Sequence, residues 1–86
     1  MVKSAQFTKT LANGIDVQFS RGSVENKIPE EPYYDVTVTR KEEKHALRMK
    51  KNSNGHWGIE DRAHLPLWVR DFEPEFIRAV KQNEAS

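Results

Sequence analysis

The hydrophobic pattern of this chain changes period once, near residue 60, and that change restricts the fold more than any other feature. Before it, apolar and polar residues alternate. Ile15, Val17 and Phe19 interleave with Asp16, Gln18 and Ser20, and Tyr34, Val36 and Val38 with Asp35, Thr37 and Thr39. Leu47 and Met49 alternate with Arg48 and Lys50, and Trp57 and Ile59 follow. A period of two describes strands with one buried face. After the change, Leu65, Trp68, Val69, Phe72, Phe76, Ile77 and Val80 recur at steps of three and four, one apolar stripe on a helix. Each half lacks a cover for its apolar side, and the other half supplies it. The expected fold is α+β: an antiparallel β-meander of about five strands with one C-terminal helix, kinked near Pro74, packed on one face.

Turn residues divide the strand region. Residues 5–11 form the first strand, with Phe7 and Leu11 inward; Lys9 between them marks an edge strand, where an inward Lys is tolerated. Asn13-Gly14 signals a tight hairpin, because both residues accept positive φ. Residues 22–32, with Gly22, Pro29 and Pro32, read as a loop longer than an ordinary hairpin connection. Strands are expected at 33–40, 45–51 and 56–60, with turns at 41–44 and 52–55. Arg48 and Lys50 should project beside Thr37 and Thr39.

Pro66 suits a first helical turn. Pro74 inside a continuous helix would remove a hydrogen bond and clash with the preceding turn. Either the helix kinks there, or a turn ends near Phe72 and a second helix starts at Glu73; the unbroken phase of the stripe favours the kink. Trp57 and Trp68 are the expected largest burials, and the chain from Asn83 is expected to fray.

Composition bounds the function. Eighty-six residues make a single small domain, 1–86. A net charge of +1 gives no global pull toward nucleic acid or membrane. The absence of Cys excludes a disulfide scaffold, a thiolate nucleophile and Cys-based metal sites. Residues 1–6 lack the basic and apolar regions of a signal peptide. No apolar run approaches the ~18 residues that span a bilayer. A cytoplasmic protein without membrane contact is expected.

Constellations that would carry catalysis are weak. No Ser sits in a nucleophile elbow. His56, Glu60, Asp61 and His64 are metal-ligand types close in sequence, but His56 is expected on the outer sheet face and His64 beyond a turn. Asp71, Glu73 and Glu75 read as helix-surface charges, with Glu75 pairing Arg78 and Glu73 pairing Arg70. The glycines are too scattered for a phosphate loop. No enzyme, no metal and no cofactor are called for.

Two features point to binding. Arg40, Lys41, Lys44, Arg48, Lys50 and Lys51 stand against only Glu42 and Glu43 within residues 40–51. A basic stripe on a polar sheet face can track a phosphate backbone, although the outward positions offer only Tyr33 for stacking on bases. The second feature is the 22–32 loop, where Val24 and Ile28 are apolar residues in an acidic, proline-bearing stretch. The first expectation is that they fold back on the edge of the core; exposed, they would form a hydrophobic hook.

The run Asn54-Gly55-His56-Trp57-Gly58-Ile59 resembles the final strand of cystatin-like and nuclear-transport-factor-like domains. Those folds also carry an N-terminal helix where this chain has strands, so no family is assigned. The leading expectation is a small non-catalytic interaction domain with a protein partner. The alternative is nucleic-acid binding through the basic 40–51 patch. Self-association through an edge strand is open.

Overall fold

Strands form where the residues alternate. The structure, a computed structural model, describes residues 4–85. The reading of residues 1–6 as lacking a leader falls partly on Met1–Lys3, outside the described residues. Five strands run β1 (Gln6–Leu11), β2 (Ile15–Ser23), β3 (Pro32–Arg40), β4 (Glu43–Lys51) and β5 (Trp57–Glu60). They form one antiparallel meander in the order β1-β2-β3-β4-β5. The pairings Val17↔Val38, Phe19↔Val36, Val36↔Leu47, Tyr34↔Met49 and Met49↔Ile59 bring the alternating apolar positions to one face. The other face collects Thr8, Gln18, Thr37, Lys44, Arg48 and Glu60. Among the described residues, no helix packs on it.

The helical region follows on the apolar face as a single turn α1 (Leu67–Arg70) and a longer helix α2 (Glu73–Glu84). The chain therefore breaks near Pro74 rather than continuing as one kinked helix. Phe72, at φ −91° and ψ 3°, leaves helical geometry, and Pro74 falls in the first turn of α2, where its missing N–H is no loss. The stripe keeps its phase because the Phe72 carbonyl still accepts the N–H groups of Glu75 and Phe76, at 2.9 and 3.1 Å.

Phe76, Ala79 and Val80 of α2 and Val69 of α1 complete a core in which Tyr34, Phe76 and Met49 are the largest fully buried side chains. The rings interlock edge to face, Tyr34 on Trp57 at 5.4 Å and Phe19 on Phe76 at 6.4 Å between centroids. Trp57 is buried as expected. Trp68 is only half-buried, because it reaches the sheet at its rim.

The connections differ from the expectations in detail. The β1–β2 hairpin has a three-residue 3-10 connection, Ala12–Gly14, with Gly14 at φ 71°. A residue in the left-handed region after a type I-like turn is the usual three-residue solution, and glycine adopts it without steric cost. The β3–β4 turn needs only Lys41 and Glu42, so Glu43 and Lys44 belong to β4. Strands β2 and β3 extend beyond the alternation through the pairs Gly22↔Tyr33 and Ser23↔Pro32. The Tyr33 ring lies over Gly22, and a Cβ there would stand 2.6 Å from it. The long loop therefore shrinks to residues 24–31. Among the described residues, no helix is long and apolar enough to cross a membrane.

Candidate functional site

Register decides what the basic residues can do together, and it separates them. Arg40 and Lys51 point to the helix-bearing face, as the pairs Ile15↔Arg40 and Lys51↔Trp57 require. Lys44, Arg48 and Lys50 point to the opposite face, and Lys41 sits in the turn with φ 56°. Arg48 stands beside Asp35 and Lys50 beside Tyr33, not beside the threonines; Lys44 is the neighbour of Thr39.

Three of the six are ion-paired. Arg48 Nε donates to Asp35 Oδ1 at 2.8 Å, Lys50 Nζ lies 3.3 Å from Glu60 Oε2, and Arg40 lies 3.7 Å from Glu43. Asp35 holds the Arg48 pKa above its ordinary value, chiefly by that hydrogen bond. The Arg40 guanidinium covers the Trp68 ring at 4.0 Å, and the Arg48 guanidinium covers Tyr33 at 4.1 Å. The uncovered sheet face is thus mixed in charge.

Around Arg40 a rim cluster forms that sequence spacing concealed. Trp68 Nε1–H donates to Glu43 Oε2 at 3.0 Å, and His45 Nε2 lies 2.7 Å from the same oxygen. The His45 contact first, and then the indole N–H, hold the Glu43 carboxyl below the usual carboxylate range. Glu43 and His45 are neighbours on one face of β4, and Trp68 reaches them from α1.

The opposite end of the same face carries a second network, built on Arg21. Arg21 Nε donates to Glu84 Oε2 at 2.6 Å, and Arg21 Nη2 to Glu30 Oε1 at 2.6 Å. The Tyr34 hydroxyl donates to Glu84 and accepts from Asn83 Nδ2, which also donates to the Ser4 carbonyl at 2.9 Å. Burial, reinforced by the bond to Glu84, pushes the Tyr34 pKa up to about 12. The Arg21 pKa is raised, first by the Glu84 hydrogen bond. The end of α2, expected to fray from Asn83, is instead helical to Glu84 and tied to the sheet. The residues lie far apart in sequence; the signal that finds them is the α2 stripe, which continues from Phe76 and Val80 onto Asn83 and Glu84.

That network also positions the loop. Glu30 rests on Arg21, which rests on Glu84, and Val24 N–H donates to the Glu31 carbonyl at 3.0 Å across the loop base. Val24 is half-buried at this base. Ile28 is 99% exposed. Its side chain does not fold back on the core, although Glu30 two residues on returns to Arg21 of β2. The Ile28–Pro29 peptide is cis.

The remaining candidates are dispersed. His64 Nδ1 lies 3.8 Å from Asp61 Oδ2, and His64 Nε2 contacts the Ala46 carbonyl at 3.3 Å. No group of three or more His, Asp or Glu residues able to hold a metal ion occurs among the described residues. Glu75 pairs with Arg78 at 2.8 Å as expected. Glu73 instead reaches back to β5, accepting from Ile59 N–H at 3.0 Å and Arg62 Nη2 at 3.2 Å. It occupies a backbone donor on the outer edge of β5.

Comparison with known proteins finds no matching family model, no match among curated proteins and no matching solved structure.

Proposed function

We propose that this protein is a small non-catalytic interaction module that binds a protein partner through the β2–β3 tip, with Ile28 as the anchor. The observation that carries the reading is a large β-branched side chain, 99% exposed, on a tip whose base is fixed. Isolated exposed apolar residues are common and need no explanation. This one stands on a loop held by the Glu30–Arg21–Glu84 pairs and the Val24–Glu31 bond. A tip already ordered loses little conformational entropy on binding, so its apolar contact converts more fully into affinity. Residence in the cytoplasm, which rests on the lack of Cys, is part of the same proposal.

The test compares three baits under in-cell cross-linking: wild type, Ile28→Asp and Lys50→Glu. A protein partner retained by wild type and Lys50→Glu but lost with Ile28→Asp is the expected result. The same partners on all three, or none on any, would overturn it.

Nucleic-acid binding through the 40–51 segment is the second reading. It is favoured by Lys44, Arg48, Lys50 and the Tyr33 ring sharing the uncovered face. It ranks second because Asp35 and Glu60 offset Arg48 and Lys50, and because Arg40 and Lys51 project from the other face. Fluorescence anisotropy with a short single-stranded oligonucleotide separates the two. Binding that weakens steeply with salt and is lost in Lys50→Glu would promote it.

A further inference from the structure

The α2 helix covers the centre of the sheet but leaves a groove against the edge strand β1. Its floor is apolar, made by Leu11, Val17, Phe19, Phe76 and Ala79, and its volume is about 170 Å3. Lys9 and the Glu75–Arg78 pair stand at the rim. A cavity of ~150 Å3 admits a benzene ring, so a four-carbon branched side chain fits this groove. The same molecule carries such a side chain without a contact: Ile28.

The two features have opposite charge. The tip holds Glu25, Glu30 and Glu31 against Lys27, and the rim holds Lys9 and Arg78 against Glu75. They cannot meet within one molecule. The groove lies at Val17 on β2, and the tip begins after Ser23, roughly 20 Å further along the strand. We infer that the groove between β1 and α2 receives the Ile28 tip of a second copy of this chain. The inference rests on the reading of Ile28 as an anchor and names the chain itself as one of its partners. Each copy then offers one knob and one groove, a pairing of unlike surfaces that differs from strand-to-strand addition at an edge. The contact is small, so its affinity is weak and falls as salt screens the charged rim.

The experiment is a dilution series of the ¹⁵N-labelled protein at low salt, up to about 1 mM, with sedimentation velocity on the same samples. The expected result is that amides of residues 25–30 and of β1 and the first half of α2 shift with one common concentration dependence. Ile28→Asp and Lys9→Glu, both exposed positions, each remove the effect. An equimolar mixture of the two restores one contact, because the first variant keeps its groove and the second its tip. A protein that stays monomeric, or whose shifts fall on other surfaces, overturns self-association. If it stays monomeric while Ile28→Asp still loses a cross-linked partner, the anchor reading survives and only the second-copy inference falls. If self-association persists in Ile28→Asp, the tip is not the knob.

Discussion

The helix-bearing face of the sheet ends in two arginine–glutamate corners, and comparing them shows how much burial matters. At one end Arg21 and Glu84 lie 2.6 Å apart with side chains 16% and 15% exposed. At the other, Arg40 and Glu43 lie 3.7 Å apart at 40% and 46%. The residue types are the same. The first pair is wrapped by Tyr34, Asn83 and Glu30 and joins helix to sheet; the second sits at the rim, where Arg40 covers the Trp68 ring and Glu43 contacts the Trp68 indole N–H and His45. An exposed pair is screened and offset by side-chain entropy, whereas a partly buried one leaves an uncompensated charge when either partner is removed. One corner holds the fold together; the other decorates its edge.

Between the two corners, the larger expected effect comes from breaking the buried one. Glu84→Ala strips Arg21 of the more buried of its two carboxylates and Tyr34 of its acceptor, and should cost about 2–3 kcal/mol in urea unfolding. A loss equal to or below that of Trp68→Ala would mean that burial gives this corner no advantage.

The next effect is pH-dependent. The Tyr34 pKa in the folded protein is raised to about 12 from an ordinary 10, so the folded state favours the neutral phenol. This contribution is complete below pH 10 and is lost as pH rises from 10 through about 12. Its size is on the order of 2 kcal/mol. Tyr34→Phe should flatten that alkaline limb in equilibrium unfolding. An alkaline limb unchanged in Tyr34→Phe would assign it to other groups.

Trp68→Ala probes the exposed corner, and because Trp68 is half-buried its cost should be about 1–2 kcal/mol, against the ~3–5 of a buried Trp such as Trp57. Thermal melts of the two variants side by side decide it. Smaller still is Lys41→Gly at the turn next to Arg40. Lys41 holds φ 56°, where a Cβ is unfavourable, so glycine should stabilise by about 0.5 kcal/mol after its larger unfolded-state entropy is counted. Destabilisation would mean that the Lys41 side chain contributes a contact that outweighs the strain.

Glu43→Gln is expected to be the least consequential. The Glu43 carboxyl is held below its usual range, so its contribution is present above the ordinary carboxylate pKa and fades as pH falls through the lowered value. At so exposed a site the melting temperature should stay within about 2 °C of wild type at neutral pH.

Local pattern made the meander and its helical cover legible. Alternation at 15–19, 34–38 and 47–49 places each strand and its buried face, since a one-residue error would expose all of it. Less visible were the features that depend on pairing partners. Arg48 and Lys50 look like an uninterrupted cationic run until register sets Asp35 and Glu60 beside them. The loop looks longer in sequence than it is because Gly22 and Pro32 are loop-type residues, yet Gly22 is the space into which the Tyr33 ring fits. Nothing near Arg21 announces Glu84, and Ile28 and the core residues have the same chemistry on paper. Exposure separates them only once the fold exists.

The hydrogen bonds between Ser4 and Asn83 have a topological consequence. Ser4 N–H donates to Asn83 Oδ1 at 3.0 Å, and Asn83 Nδ2 donates back to the Ser4 carbonyl at 2.9 Å. The two extremities of the described chain therefore touch. A domain whose extremities touch can be circularly permuted with a short joining segment, or inserted whole into a surface turn of another protein, without altering its strand order. The 24–31 tip is the natural place to cut, and a permutant opened there would keep the sheet, the helix and the groove while abolishing the hook.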